Sequence, residues 1–284
     1  MAGGRRRAMV LPDPAVSRSR RILILAPHPD DEIVACGIAA RRARAEGARV
    51  FVLYLTTGVP PSDVLWPWQR RGYAARFARR RDEALAAGRF LGFDPVGFLD
   101  IPSRRLITRL DEAAAAVDRA LVETSADCLW VTALEGAHQD HDAANALAAR
   151  VRDRLPVWEF AAYNLAGGCV QSNRFIDARG GVIELRLNRE ESVFKREALQ
   201  LYTSERGNLR HIRVREEAYR PLPRYDYAAP PHEGKLFRER FHWVPFRHPR
   251  IDLTPSADIY AALGRWSIAP QGPRRLDIAA AAAG

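Results

Sequence analysis

The segment ILILAPHPDDE at residues 22–32 joins a short apolar run directly to a cluster of histidine and aspartate. Residues 22–25 have the length and composition of a buried strand, and residues 33–46 have the spacing of a helix. A buried strand that passes through a tight polar turn into a helix is the repeating unit of a parallel α/β sheet. This segment therefore predicts the fold class and marks the first candidate site.

The same order of strand and helix recurs along the first half of the chain. Further apolar runs lie at residues 50–55, 96–99, 128–132 and 157–162, and further helical patterns lie at residues 76–91, 111–123 and 142–154. We predict a doubly wound, Rossmann-like, mostly parallel sheet with helices on both faces. The strand order expected for such a sheet is about 3-2-1-4-5.

After about residue 167 the pattern loosens. Residues 182–187 alternate like a strand, residues 189–202 look helical, and residues 221–231 hold four prolines among aromatic residues. We predict a single α/β domain at 21–277 whose residues 167–277 form a variable C-terminal cap. Residues 1–20 and 278–284 are predicted to be tails.

Composition limits the classes of function. The chain has 284 residues, 47% of them hydrophobic, and a net charge of +10, which fits a folded globular protein. Arginine supplies most of the charge in short clusters, which favours solvated helix faces over a site for a polyanion. No nucleic-acid partner is expected.

Three widely spaced cysteines cannot form a complete disulfide framework, which favours a reducing cytoplasm. Residues 1–19 lack the apolar core of a signal peptide, and no run approaches the ~18 apolar residues of a membrane span. We therefore predict a cytoplasmic protein without a transmembrane segment. Contact with a membrane surface and the oligomeric state stay open.

Two polar clusters follow strands that should be neighbours. His28, Asp30 and Asp31 follow the first strand, and residues 138–142 follow the fourth, so both should face the crevice where the strand order reverses. Imidazole and carboxylate are the ligands of catalytic zinc, which keeps a position for water. Adjacent carboxylates diverge, so one aspartate can bind the metal while the other acts as a base.

The residue pattern alone leaves the order of the two aspartates open, and only one of His138 and His141 need be a ligand. Each residue also has an ordinary role by itself, such as a surface histidine or an aspartate at a helix N-cap. Their convergence favours a site.

Three motifs carry a resemblance to a known family: PHPDDE at residues 27–32, LTTG at 55–58, and HQDHDA at 138–143. Over residues 21–163 the chain resembles the PIG-L (LmbE-like) zinc-dependent de-N-acetylases. Gln139 stands where the family usually has proline, at a position that is not a ligand.

The resemblance implies a role for each polar residue. It implies that His28, Asp31 and His141 bind zinc. Asp30 would be the general base, His138 would stabilise the oxyanion or protonate the leaving amine, and Asp140 would orient His138. Four further residues would contact the substrate: Arg80, which forms an R-x-x-E pair with Glu83, then Tyr163, Asn164 and His232. For Arg80 a solvent-facing position is the alternative, and for His232 a structural role in its turn is favoured.

The resemblance further implies hydrolysis of a linear amide. Metal-activated water would remove an N-acetyl group from a small amino-sugar substrate, such as an N-acetylglucosaminyl glycoside or glycolipid. Zn²⁺ is the expected cofactor, and Fe²⁺ is the alternative because it also occupies His/His/Asp sites. The competing hypothesis is a catalytically silent sugar-binding or interaction protein on the same fold.

Overall fold

A seven-stranded sheet forms the centre of the structure, a computed structural model that describes residues 19–246, 248–249 and 251–269. Its first five strands are parallel and have the predicted order 3-2-1-4-5. They are β1 (Arg21–Ala26), β2 (Arg49–Tyr54), β3 (Asp94–Phe98), β4 (Cys128–Thr132) and β5 (Val157–Phe160). The predicted fold class is confirmed. Residues 1–18 and 278–284 of the predicted tails lie outside the described residues.

Helices connect these strands. They are α1 (Asp31–Ala45), the short α2 (Pro67–Arg70), α3 (Tyr73–Leu91), α4 (Leu110–Thr124) and α5 (Gln139–Ala149). The last one differs from the helix predicted at 142–154, because His138 acts as its N-cap and starts it earlier. His141 and Asp142 therefore lie in the first turn of a helix and not in a loop.

The helices pack on both faces of the sheet, as predicted. Along β1, Ile22 and Ile24 face one apolar core and Leu23 and Leu25 face the other. All four side chains are buried, which explains why the strand reads as a continuous apolar run.

The second half of the chain extends the sheet. β9 (Glu216–Pro221) pairs antiparallel with β5, and β8 (Ile183–Arg186) pairs antiparallel with β9. The remaining elements are β6 (Tyr163–Asn164), β7 (Gln171–Ser172), α6 (Arg189–Gln200) and α7 (Ser256–Ile268). Short 3₁₀ turns lie at Ser62–Val64, Leu106–Thr108, Ala166–Gly168, Thr203–Glu205, Leu209–His211 and Phe237–Glu239. Part of the predicted cap thus belongs to the central sheet.

Helix α1 is interrupted at Cys36, whose φ of −143° and ψ of 18° are not helical. The carboxylate of Glu217, on β9, accepts the backbone N–H groups of Ile38 at 3.0 Å and Ala39 at 2.8 Å. Lys195 Nζ donates to Glu217 at 2.8 Å and to the carbonyl oxygen of Val34 at 3.1 Å. A buried ion pair therefore takes over hydrogen bonds that an unbroken helix would make.

Among the described residues, no helix combines the length and the apolar character needed to cross a membrane.

Candidate metal and catalytic site

Three metal-ligand side chains converge beyond the carboxyl ends of β1 and β4, which are neighbours in the sheet. Asp31 Oδ2 lies 3.1 Å from His28 Nδ1 and 3.2 Å from His141 Nε2. The backbone N–H of His28 also donates to Asp31 Oδ2, at 2.9 Å, and so fixes the turn between β1 and α1. The structure thus brings together the three side chains expected to bind the metal.

The donor set fits zinc. His141 is completely buried; its Nδ1 has no hydrogen-bond partner among the described residues, and its Nε2 faces only the Asp31 carboxylate, at 3.2 Å. An unsatisfied buried nitrogen is costly, and a metal would satisfy it. One ligand atom from each of His28, Asp31 and His141 lies within 4.8 Å of the others. Two imidazoles and a carboxylate with a free fourth position are a typical set for catalytic zinc.

A second group with metal-ligand spacing consists of His28, His138 and Asp140. Its atoms already have partners: His28 Nε2 lies 3.0 Å from Asp140 Oδ2, and His138 Nδ1 accepts the N–H of Asp140 at 3.1 Å. The first group is therefore the better candidate for a metal.

Electrostatics separates the roles of the ligands. Burial alone would raise the pKa of the Asp31 carboxyl, but His141 and His28 outweigh burial and hold that pKa well below its usual range. Burial would lower the pKa of His28, but Asp140 and Asp31 raise it to about 10. Since only a neutral imidazole binds a metal, zinc would displace a proton from His28.

Asp140 contacts His28 at Nε2, the ring nitrogen that does not face Asp31. Asp140 Oδ2 also accepts the backbone N–H of Arg104 at 2.6 Å and the hydroxyl of Ser103 at 3.3 Å. Because Asp140 accepts a hydrogen bond from His28 Nε2, the neutral ring carries its proton on Nε2. The lone pair of Nδ1 then faces Asp31. The distance from Asp140 Oδ2 to His138 Nδ1 is longer, at 3.5 Å. The role expected for Asp140, orienting His138, stays a prediction, and the geometry adds a contact with His28.

His138 lies next to the metal group. Its ring centroid lies 4.5 Å from that of His28. Because Nδ1 accepts a hydrogen bond from the N–H of Asp140, a neutral His138 carries its proton on Nε2. Burial and the neighbouring His28 lower the pKa of His138 to about 3. The ring is therefore neutral in the metal-free protein and offers an N–H donor.

The backbone conformation of Asp30 differs from that of Asp31, which is the first residue of helix α1. The φ of Asp30 is 126°, in a region that non-glycine residues rarely adopt. The carboxylate of Glu32 accepts the backbone N–H of Asp30 at 3.0 Å and the hydroxyl of Tyr202. Burial raises the pKa of the Asp30 carboxyl well above its usual range, although Arg80 opposes this shift.

Arg80 is buried, with 3% of its surface exposed, and holds the Asp30 turn. Its Nη2 lies 3.2 Å from Asp30 Oδ2 and donates to the carbonyl oxygen of Pro29. Its Nη1 contacts Ser204 Oγ at 3.4 Å and Glu205 Oε1 at 3.5 Å. The solvent-facing alternative for Arg80 is thus wrong. The predicted substrate contact stays a prediction, and the observed contacts position Asp30.

The LTTG motif packs around this arginine. Thr56 Oγ1 donates to the carbonyl oxygen of Pro27 at 2.8 Å. Gly58 has a φ of +68°, and a Cβ atom there would lie 2.9 Å from Arg80 Nε. Glycine is therefore needed for both its backbone conformation and its small size.

The other predicted substrate contacts differ in their surroundings. The half-buried Tyr163 ring lies 5.3 Å from that of His141, so it borders the site. Asn164 is buried and donates from Nδ2 to Glu135 Oε1 at 3.2 Å and to a backbone carbonyl, which indicates a structural role. His232 lines a surface cavity of about 430 Å³, and its Nδ1 lies 2.8 Å from its neighbour's carbonyl oxygen.

Sequence reasoning missed two buried residues next to the site. Ser103 Oγ lies 3.2 Å from His28 Nε2. Its position after the third strand was a usable signal, because loops after parallel strands meet at one edge of the sheet. Glu135 accepts the N–H of Ala162 at 2.9 Å, and burial raises its pKa to about 8. The residues next to Glu135 in the sequence did not indicate that its carboxyl group is buried.

Comparisons with known proteins agree with this geometry. Residues 23–151 match the family model described as PIG-L: GlcNAc-PI de-N-acetylase. The match contains all three motifs from which the resemblance was predicted, and it confirms that prediction. No curated protein matches the chain.

Several solved structures are similar to the chain. A deacetylase of the teicoplanin biosynthesis pathway has a TM-score of 0.56 at 21% identity, covering 72% of this chain and 99% of that one. A zinc-inhibited form of teicoplanin deacetylase has a TM-score of 0.54 at 20% identity, covering 72% and 99%. The N,N′-diacetylchitobiose deacetylase of Pyrococcus horikoshii has a TM-score of 0.51 at 14% identity, covering 74% and 86%. At these identities the similarity shows a common fold.

Proposed function

We propose that this chain, whose residues 23–151 match the model of the PIG-L (LmbE-like) family, is a zinc-dependent deacetylase that hydrolyses the N-acetyl group of an amino sugar. One observation carries the proposal. The buried His141, whose Nδ1 has no hydrogen-bond partner among the described residues and whose Nε2 faces only Asp31, meets His28 and Asp31 in a group with metal-ligand spacing.

In this proposal, His28, Asp31 and His141 hold the metal. When bound, zinc supplies Lewis acidity, which lowers the pKa of water and polarises an amide carbonyl. Asp31 suits a ligand because its neighbours keep it ionised, and Asp140 orients His28 through Nε2. Ferrous iron is the alternative metal for the same donor set.

Asp30 is the proposed base. Its carboxylate can take a proton from the attacking water, and burial makes that carboxylate more basic than a solvated aspartate. Arg80 and Glu32 hold its side chain and its backbone N–H in place. The two aspartates have different partners, Arg80 for Asp30 and the two histidines for Asp31, which suits them to different tasks.

His138 is the proposed group on the other side of the amide. Its Nε2–H can donate to the developing oxyanion, since Nδ1 is already an acceptor. The leaving amine needs a proton, and Asp30, which has taken one from the attacking water, can return it; for His138 to act as the acid it would first have to bind that proton itself. Tyr163, which borders His141, is a proposed substrate contact.

The acetylated amino sugar, for example an N-acetylglucosaminyl conjugate, is supported by the family's description and by the chitobiose deacetylase among the similar structures. A cytoplasmic location is supported by three cysteines that are all unpaired.

The test combines metal content with acetate release. The purified chain should contain about one equivalent of zinc or iron and release acetate from members of a panel of N-acetylated amino sugars. Asp30→Asn should lower turnover by about 10²–10⁴-fold, whereas Asp153→Asn, at an exposed position outside the site, should leave it unchanged. A metal-free chain that binds sugars without hydrolysing any would favour the silent binding protein.

A further inference from the structure

The segment YTSE at residues 202–205 follows helix α6 and contacts the turn that carries Asp30. It lies outside the residues that match the family model, since that match ends at residue 151. The mechanism proposed above uses none of its four side chains. The contacts of the YTSE segment nevertheless end on Glu32 and Arg80, the two residues that hold Asp30.

The first residue of the segment, Tyr202, bonds to the carboxylate that holds the backbone of Asp30. Tyr202 is completely buried, and its hydroxyl donates to Glu32 Oε1. The other oxygen of the same carboxylate, Glu32 Oε2, accepts the backbone N–H of Asp30 at 3.0 Å. One carboxylate therefore connects the Tyr202 hydroxyl to the peptide of Asp30, and the hydroxyl restricts the orientation of that carboxylate.

The end of the segment contacts the arginine that holds the side chain of Asp30. Arg80 Nη1 donates to Ser204 Oγ at 3.4 Å and lies 3.5 Å from Glu205 Oε1. Arg80 Nη2 lies 3.2 Å from Asp30 Oδ2. The guanidinium is planar and rigid, so contacts that fix Nη1 also fix Nη2. Glu83 in turn holds the segment, because its Oε1 accepts the backbone N–H of Ser204 at 2.9 Å.

Helix α6 fixes the YTSE segment relative to helix α1. Both carboxylate oxygens of Glu191, on α6, accept hydrogen bonds from the guanidinium of Arg42, on α1, each at 2.7 Å. Lys195 Nζ, also on α6, donates to the carbonyl oxygen of Val34 at 3.1 Å. Helix α1 starts directly after the Asp30 turn. The turn and the segment are therefore attached to the same pair of helices.

The Asp30 turn depends on such support. At a φ of 126°, Asp30 adopts a conformation that costs free energy and persists only where the surrounding contacts fix it. A general base must also lie within hydrogen-bond reach of the proton that it removes. Relaxation of the backbone at Asp30 would change the direction of its carboxylate and would therefore lower the rate of proton transfer.

We propose that Tyr202 and Glu205 are positioning residues for the base: Tyr202 holds the backbone of Asp30 through Glu32, and Glu205 holds its carboxylate through Arg80. The proposal rests on the proposed function, because both residues act on the reaction only through Asp30. Within the part of the chain that the structure describes, neither residue makes a hydrogen bond or an ion pair to a proposed metal ligand. Their loss should therefore lower turnover without releasing the metal.

The test measures kcat, KM and metal content of the holoenzyme, with the N-acetylated amino sugar of the panel that the wild type hydrolyses fastest. Tyr202→Phe removes the hydroxyl and keeps the ring, whose centre lies 5.5 Å from Arg80 Cζ. It should lower kcat by about tenfold, with KM unchanged within about twofold and a full equivalent of metal. Glu205→Gln, at a partly exposed position, is the second variant and should lower kcat by about threefold to tenfold.

Double variants separate positioning from a general structural role. Combined with Asp30→Asn, neither substitution should lower kcat further, because the base on which both act is already removed. The matched control is Tyr225→Phe, which also removes a hydroxyl from a buried glutamate, Glu159, at 2.7 Å, and should keep the wild-type kcat. An unchanged kcat in both single variants would overturn the proposal. So would an equal loss in Tyr225→Phe, or the same loss factor with and without Asp30→Asn.

If the wild type releases no acetate from any compound, the proposed function fails, and crystal structures of the wild type and of Tyr202→Phe decide the positioning separately. Loss of the hydrogen bond from the Asp30 N–H to Glu32 in the variant, with a changed φ at Asp30, would support the support role of Tyr202. An Asp30 turn with the same φ and the same hydrogen bond in both proteins would overturn it.

Discussion

Replacing Lys195 by methionine should destabilise the protein by about 3–5 kcal/mol, the usual cost of leaving a buried charge without its partner. Lys195 and Glu217 are both 0% exposed and lie 2.8 Å apart. The substitution would leave the Glu217 carboxylate with only the two N–H groups of the interrupted helix. The Val34 carbonyl would lose little, because Asn173 Nδ2 also donates to it, at 2.6 Å.

Replacing the other partner, Glu217→Gln, should destabilise the protein by a similar amount, about 3–5 kcal/mol. The new amide can accept only one of the two backbone N–H groups at the helix break, and it leaves Lys195 unpaired. In the double variant neither orphaned charge remains, so the loss should be smaller than the sum of the two single losses by about 1–3 kcal/mol.

Urea unfolding followed by circular dichroism at constant pH measures these changes as differences in the free energy of unfolding. Arg196→Met is the matched control, since Arg196 is an exposed neighbour on the same helix and should cost less than about 0.5 kcal/mol. Losses below about 1 kcal/mol in both single variants, or strictly additive losses, would refute the idea that this ion pair completes helix α1.

Three further predictions concern the site. His28→Ala should remove the tightly bound metal, measured by elemental analysis, because it removes a ligand; retention of a full equivalent would contradict the ligand assignment. Asp30→Asn should keep the metal but lower kcat by about 10²–10⁴-fold, and loss of the metal would mean that the two aspartates have exchanged roles. Glu135 has a folded-state pKa raised by burial from 4.5 to about 8, so its contribution to stability is complete below pH 4.5 and is lost as the pH rises through 8. Thermal melts of Glu135→Gln should therefore not show this decline in stability between pH 4.5 and 8. A pH profile of stability identical to that of the wild type would contradict the prediction.

The sequence predicted the parallel part of the fold because its signals are local. The continuous apolar run of β1 and the polar turn after it identify a buried strand and a strand-to-helix turn without reference to any partner. The neighbouring positions of β1 and β4 then bring His28 and His141 to one place.

The features that the sequence did not predict depend on contacts between residues that are far apart in the sequence. Glu216 and Glu217 open a buried strand, a pattern that local sequence rules do not favour. Glu217 is buried because Lys195 and the break in helix α1 supply donors from elsewhere in the chain. The contact of Asp140 with His28 likewise depends on side-chain directions at the start of α5, which sequence spacing does not determine.

The residues that hold the Asp30 turn do not all come from the half of the chain that matches the family model. That match ends at residue 151, yet Tyr202 contacts Glu32, Glu205 contacts Arg80, and Glu217 caps the second segment of α1. The segments that carry the proposed site therefore depend on contacts from the second half of the chain. A chimera that joins this first half to the second half of one of the similar structures would inherit the proposed metal ligands but lose these contacts around the proposed base. The first half keeps these contacts only if the second half supplies the hydroxyl of Tyr202 and the carboxylates of Glu205 and Glu217.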